Sequence, residues 1–247
     1  MNILESLKRI KLPVVEIFNS ISGEGISSGT IVTFVRTAGC NLRCNYCDTK
    51  YSYDVKSANQ MFFYEILDEI SKYGGNNIIC TGGEPLEIGT YKRFLPLFLA
   101  GNNYNVRIET NGSVELYSKD EFNLFNYNSS SKKIKYTLDV KCPSSGMQGF
   151  DLINKNIYLL NETDEIKFVI GSKLDFKYSI NLIKKYAREL GKRKVLLNFS
   201  PIFGVYESAN LVEDIKFYNK DFEDKGLKVR LSLQIHKFIW DFNKKGV

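Results

Sequence analysis

The chain has 247 residues, 34 Lys and Arg against 28 Asp and Glu for a formal charge of +6, five cysteines and one histidine. That length suits one large domain or two small ones, and 43% hydrophobic with 25% charged residues is the composition of a soluble globular protein, not a disordered or fibrous one. A lone histidine, His236, excludes multi-histidine metal sites. An odd cysteine count with Cys40, Cys44 and Cys47 bunched together is not a disulfide framework, so these three are read as thiolates in a reducing compartment.

From Met1 to Phe18 the apolar residues are interrupted by Glu5 and several lysines, unlike a signal peptide, and no window approaches a membrane span. A cytoplasmic protein is expected. Lys and Arg are scattered among Asp and Glu, and Lys192-Arg193-Lys194 reads as a solvated turn, so neither nucleic acid nor membrane is an expected partner. β-Branched runs predict strands at Val14–Phe18, Ile31–Val35, Asn77–Cys80, Val106–Glu109, Ile134–Leu138, Ile166–Ile170, Val195–Phe199 and Val229–Leu233. Between them, Ala58–Lys72 puts Phe62, Ile66, Leu67 and Ile70 at helical spacing. Tyr91–Leu99, Leu116–Phe125, Phe176–Leu190 and Leu211–Asp221 read similarly, with Pro96 kinking or shortening the first of these. Gly74-Gly75-Asn76, Gly101-Asn102-Asn103 and Gly191 sit where helices end. Asn126–Lys133 is a polar turn.

Repeated strand–helix–strand units imply parallel crossovers in one domain over residues 1–247, as a doubly wound sheet or an open, partial (β/α) barrel. Either form places its chemistry on loops at the carboxyl ends of strands. The polar and special residues follow that rule: Arg36 to Cys47, Thr81-Gly82-Gly83-Glu84-Pro85, Thr110-Asn111-Gly112, Asp139-Val140-Lys141 and Ser200-Pro201.

Cys40, Cys44 and Cys47 form a C-x3-C-x2-C spacing directly after a predicted strand. Three thiolates on one compact loop can converge on a soft metal centre, and a helical loop would put all three on one face. Three ligands for a cubane of four irons leave one iron open for a chelating molecule, whereas electron carriers supply four cysteines. The alternative is a zinc site with His236 as the fourth ligand. Cys80 reads as buried packing and Cys142 as an incidental loop thiol.

The cysteine spacing resembles that of the radical S-adenosylmethionine enzymes, and Thr81-Gly82-Gly83-Glu84-Pro85 is similar to their Gly-Gly-Glu-Pro segment one βα unit later. The resemblance implies a partial (β/α) barrel of the radical S-adenosylmethionine type. It also implies a [4Fe-4S] cluster on Cys40, Cys44 and Cys47 whose open iron binds S-adenosylmethionine. Glu16-Ile17-Phe18, the segment Ile21 to Gly25, Phe34 through Cys47-Asp48-Thr49, and Gln234-Ile235-His236-Lys237 resemble the 7-carboxy-7-deazaguanine synthase family over nearly the whole chain. That family contracts 6-carboxy-5,6,7,8-tetrahydropterin to 7-carboxy-7-deazaguanine with loss of ammonia, on the route to queuosine and related deazapurines.

Carried over residue by residue, the resemblance implies that Tyr46, Cys47, Asp48, Gly83, Asp139, Val140, Lys141, Ser200 and Pro201 line S-adenosylmethionine. It implies that Thr49 ligates Mg²⁺, and that Ile21, Ser22, Gly23, Glu24, Arg36, Thr81, His236 and Val247 meet the pterin. The forked donors of Arg36 suit a carboxylate. Many relatives have Ser-Pro-Lys at 139–141 and often glutamine at 22. Without the resemblance, Thr49 is a turn residue, Asp139 and Lys141 a surface ion pair, Glu24 a solvated carboxylate and His236 a structural or exposed side chain. A flavodoxin- or ferredoxin-like reductant is implied, and Phe238–Trp240 could serve a homodimer interface or the core. A glycyl-radical-enzyme activase shares the cysteine loop and the Gly-Gly-Glu-Pro segment.

Overall fold

The computed structural model describes residues 6–125, 133–241 and 244–247, so the expected polar turn at Asn126–Lys133 lies outside the described residues but for Lys133. All eight expected strands form: β1 (Lys11–Ile21), β2 (Ile31–Thr37), β4 (Asn77–Gly82), β5 (Asn105–Thr110), β6 (Ile134–Val140), β7 (Glu165–Ile170), β8 (Leu196–Pro201) and β9 (Lys228–Leu231). A ninth, β3 (Asn59–Phe62), takes the first turn of the expected Ala58–Lys72 helix, because these residues pair antiparallel with Lys11–Val14. Helix α1 (Phe63–Ser71) starts only where the Glu65 carboxylate accepts from the Phe62 N–H at 2.7 Å.

Pro96 shapes the next helix without kinking it. Tyr91–Phe94 forms a single 3-10 turn, and α2 (Leu95–Gly101) carries Pro96 in its first turn, where no N–H is needed. Helix α3 (Lys119–Leu124) is shorter than expected because Ser118 caps it: its hydroxyl accepts from the Glu121 N–H, and Glu121 accepts from the Ser118 N–H. Four further helices follow: α4 (Ile153–Asn156), α5 (Lys173–Arg193), α6 (Ser208–Asp224) and α7 (His236–Ile239).

The strands form one sheet in the order β3-β1-β2-β4-β5-β6-β7-β8-β9, antiparallel from β3 to β2 and parallel from β2 to β9. β3 and β9 stand at opposite edges, so the structure is an open barrel, as expected. Strand alternation divides the chemistry between two faces. Ile108, Leu138, Val140, Ile166, Phe168, Leu197 and Phe199 face outward and join the apolar faces of the helices in one core. Cys80 belongs to it too. So does Cys142, which sits in the loop after β6 as expected but is fully buried with its thiol near Val140 O and Ser179 Oγ, and is therefore packed and not incidental. Among the described residues the inner face holds a small buried apolar cluster, Val32, Phe34 and Ile79 against Phe18, and many polar groups.

Phe63 shows how tightly the outer core is packed: it is fully buried and meets Phe98 edge-on with ring centroids 5.1 Å apart. Phe63→Ala should lower the unfolding free energy by about 3–5 kcal/mol in urea titration. A loss below about 1 kcal/mol would show that this contact is loosely packed.

Candidate active site

The cysteine loop leaves β2 as irregular chain, not as a helix. Its start is held from two sides. The buried Lys92 ammonium donates to Ala38 O at 3.0 Å and Gly39 O at 2.6 Å and pairs with Glu87. From the other side, Glu84 N–H donates to Gly39 O at 2.9 Å, and a Cβ on Gly83 would lie 1.7 Å from that same oxygen. Gly83 is therefore required by close approach of the cysteine-loop backbone. Glu84 is fully buried and accepts from Leu86 N–H, Asn111 N–H and the Thr110 hydroxyl, at 2.7–2.9 Å.

A cavity of about 260 Å³ opens at the carboxyl ends of the strands. Cys40, Cys44, Cys47, Tyr46, Asp48, Thr49, Gly83, Asp139 and Lys141 line it, together with Ile21, Gly23, Glu24, Arg36, Thr81, His236 and Val247. Ser22, Val140, Ser200 and Pro201 do not. Ser22 is buried in the β1–β2 loop with its hydroxyl on Glu24 O, Val140 packs in the outer core, and Ser200 and Pro201 are buried at the end of β8. Lys167, Glu109, Asn111, Tyr53 and Gln234 also face the cavity. Lys167 and Glu109 had a signal: each is a charge that alternates with apolar residues along its strand, on the side opposite the core residues.

Glu24 is not solvated. Its carboxylate pairs with the Lys167 ammonium at 2.8 Å and accepts from Gln234 Nε2 at 2.7 Å. Burial by itself would raise its pKa, but the Lys167 charge and these two hydrogen bonds override it and hold the carboxyl at about 2. Burial pushes the Lys167 pKa down, and Glu24, Asp139 and Glu109 together push it up further, so the ammonium stays charged. Glu109 is raised by burial, and His236 is lowered by it, which favours a neutral imidazole. His236 lies against Gly23, where a Cβ would fall 1.9 Å from Nδ1. On β2, Arg36 Nε donates to Glu16 at 2.7 Å and Tyr51 OH donates to the same oxygen at 2.9 Å.

The donor set fits an iron–sulfur cluster with S-adenosylmethionine. Three cysteine thiols share the cavity, yet among the described residues no three His, Cys, Asp or Glu side chains converge closely enough for one metal ion. A cubane holds its thiolates at separate corners, which three cysteines spread along one irregular loop fit. Asp139 gives one oxygen to Lys141 at 2.7 Å and, half-buried, is no surface ion pair. Its other oxygen is buried with no hydrogen-bond partner, as is the Tyr46 hydroxyl. An unpaired buried carboxylate oxygen beside the cysteines suits the amino group of a bound amino acid.

The open parallel sheet and this three-cysteine loop define a radical S-adenosylmethionine protein, and residues 34–125 match the model of the Radical SAM superfamily. The chain is 40% identical to 7-carboxy-7-deazaguanine synthase of Clostridium acetobutylicum, covering 95% of this chain and 98% of that one. It is 36% identical to the synthase of Leptospira interrogans over 98% of this chain and all of the relative. The crystal structure of QueE from Escherichia coli superimposes with a TM-score of 0.65 at 19% identity, covering 93% of this chain and 97% of that one, a likeness of fold. The chain belongs to the 7-carboxy-7-deazaguanine synthase family.

The Glu24–Lys167 pair predicts a particular acid response. The folded pKa of Glu24, about 2, lies below its ordinary 4.5. Its stabilisation is therefore complete above about pH 4.5 and is lost as pH falls through about 2. Lys167→Met strands the buried carboxylate. It should cost about 3–5 kcal/mol at neutral pH and move acid unfolding, followed by circular dichroism, to higher pH. An unchanged acid limb would show that the pair is not formed.

Proposed function

We propose that this cavity carries out the family's reaction, ring contraction of 6-carboxy-5,6,7,8-tetrahydropterin to 7-carboxy-7-deazaguanine with release of ammonia, with the roles set out here. The observation that carries the reading is one cavity holding both the three cysteines and the ionised Glu24–Lys167 pair. The chain is a radical S-adenosylmethionine enzyme, and the shared name of its relatives favours this reading over a glycyl-radical-enzyme activase. Cys40, Cys44 and Cys47 hold the [4Fe-4S] cluster. When bound, the cluster and S-adenosylmethionine supply the radical that removes hydrogen from the pterin.

Around them the protein binds and orients. Asp139 accepts the amino group of S-adenosylmethionine with its unpaired oxygen, and Lys141 keeps that carboxylate aimed. Tyr46, Cys47, Asp48 and Gly83 complete this side, with the backbone of Val140, Ser200 and Pro201 behind it. Arg36 has its Nε engaged by Glu16 and lines the cavity, where its guanidinium fork meets the substrate carboxylate. Glu24, held ionised, accepts from pterin N–H groups. Ser22 fixes the Glu24 carbonyl through its hydroxyl, Ile21, Gly23 and Thr81 border the ring, and His236 and Val247 close the far wall.

Thr49 binds Mg²⁺ through its hydroxyl, a weak ligand suited to an ion that keeps waters and shares the substrate carboxylate. A flavodoxin- or ferredoxin-like protein in the cytoplasm supplies the electron. A second copy of the chain covers Phe238 and Ile239, which are exposed. No helix among the described residues is long and apolar enough to cross a membrane.

Anaerobic incubation of the reduced protein with S-adenosylmethionine, Mg²⁺ and the carboxypterin should yield the deazaguanine acid and ammonia. Formation of 5′-deoxyadenosine without that product would overturn the substrate assignment, and a colourless protein with stoichiometric zinc would overturn the cluster. Thr49→Ala should leave iron and sulfide content intact while product formation collapses or loses its Mg²⁺ dependence. An unchanged Mg²⁺ response removes Thr49 from the site.

A further inference from the structure

The turn after β5, Thr110-Asn111-Gly112, faces the cysteine loop, and its backbone is fixed by Glu84, which accepts from Asn111 N–H at 2.7 Å and from the Thr110 hydroxyl at 2.8 Å. Chemistry then dictates which way the Asn111 amide points. One of its terminal atoms receives the Ser113 N–H at 2.9 Å and the Ser113 hydroxyl at 2.6 Å. A backbone N–H can only donate, so that atom is the oxygen and the other is the nitrogen. The nitrogen lies 3.0 Å from Asn41 Oδ1 and 3.7 Å from Cys40 Sγ, one acceptor for each of its two hydrogens. Asn41 closes the circuit by donating to Ser113 Oγ at 2.7 Å. Asn111 is buried, so little water competes for the contact.

We propose that Asn111 is a positioning residue for electron entry: its side-chain N–H···S bond to Cys40 raises the reduction potential of the cluster held by Cys40, Cys44 and Cys47. This rests on the cluster reading above. The step concerned is a one-electron reduction of the cluster by an external reductant, with no bond made and no proton moved. The reduced cluster is the more negative state, and a donor on a ligating sulfur stabilises it. Leu42 N–H also reaches Cys40 Sγ, at 3.5 Å, and survives any side-chain change, so losing Asn111 shifts the potential without abolishing the environment.

The test is an EPR-monitored redox titration of the anaerobically reconstituted protein without substrate or S-adenosylmethionine. Asn111→Asp keeps the acceptor for Ser113 and removes the donor to Cys40, whereas Asn111→Ala removes both without adding charge. With four irons per chain retained, both midpoints should fall below that of the unaltered protein, Asp further than Ala. An unmoved midpoint in either iron-replete variant overturns the proposal, because a merely structural role would alter cluster content or stability and leave the potential alone. Should neither variant take up iron, the unaltered protein carrying ¹⁵N in its asparagine side-chain amides decides. A ¹⁵N coupling to the reduced cluster supports the bond, and its absence overturns it. Iron and sulfide in the unaltered protein are read first: a protein without them overturns the cluster reading, while a brown protein with an unmoved midpoint overturns this inference alone.

Discussion

The two flanks of this open sheet are tied to each other across the gap by the loop between β1 and β2. Gly25 N–H donates to Ser232 Oγ beyond β9, Ile26 N–H donates to Glu165 on β7, and Ile235 N–H donates to Gly23 O. Glu165 is the hub. Its carboxylate also receives the Thr137 hydroxyl, Asn198 Nδ2 and Arg107 Nη1. Gly25 sits at φ +69, and a Cβ there would lie 2.3 Å from that carboxylate. Buried charge of this kind is weak evidence for stability, since similar-sized apolar residues often do as well. Its consequence here is geometric: Glu24, the residue beside Gly25, is carried across to Lys167 on β7 and Gln234 beyond β9.

Burying so many polar groups inside the sheet is tolerable because most of them answer another. Glu165 faces Arg107, Glu24 faces Lys167, and Arg36 faces Glu16. Among the described residues, two groups left unanswered lie in the cysteine-lined cavity, where Asp139 and Tyr46 each keep a buried atom without a partner. The apolar work is done on the other face, where the helices cover the strands. A partial barrel can therefore keep a charged, substrate-sized interior without a hydrophobic filling, unlike the packed centre of a closed eight-stranded barrel.

Much of this was legible in the chain. The β-branched runs located eight strands because each has a buried outer side and short flanking turns, and the cysteine spacing located the loop that lines the cavity because all three cysteines are local. The errors came where local preference was overruled. Asn59–Phe62 has helical spacing but pairs with β1, since an edge strand was open to it. Cys142 follows a strand in sequence but folds back beneath α5 against Ser179. Glu24 looks like a solvated carboxylate in a glycine-rich loop, and nothing within ten residues reveals that its cation is at position 167.

The sequence by itself determined the class of chemistry, because cluster ligation depends on three thiolates within one turn of chain and on a glycine where two backbones touch. It also determined the alternation of strands and helices, and hence where the loops that carry chemistry would lie. Only the tertiary structure decided which distant residues line the cavity. Glu109, Asn111, Lys167 and Gln234 come from separate strands and turns, and the pairing of Lys167 and Gln234 with Glu24, of Asn111 with Cys40 and of Glu109 with the Thr81 side chain exists only after the sheet has curled and the β1–β2 loop has crossed it. Electrostatic partners across such distances leave no periodic trace in the chain, because folding, and not spacing, brings them within reach.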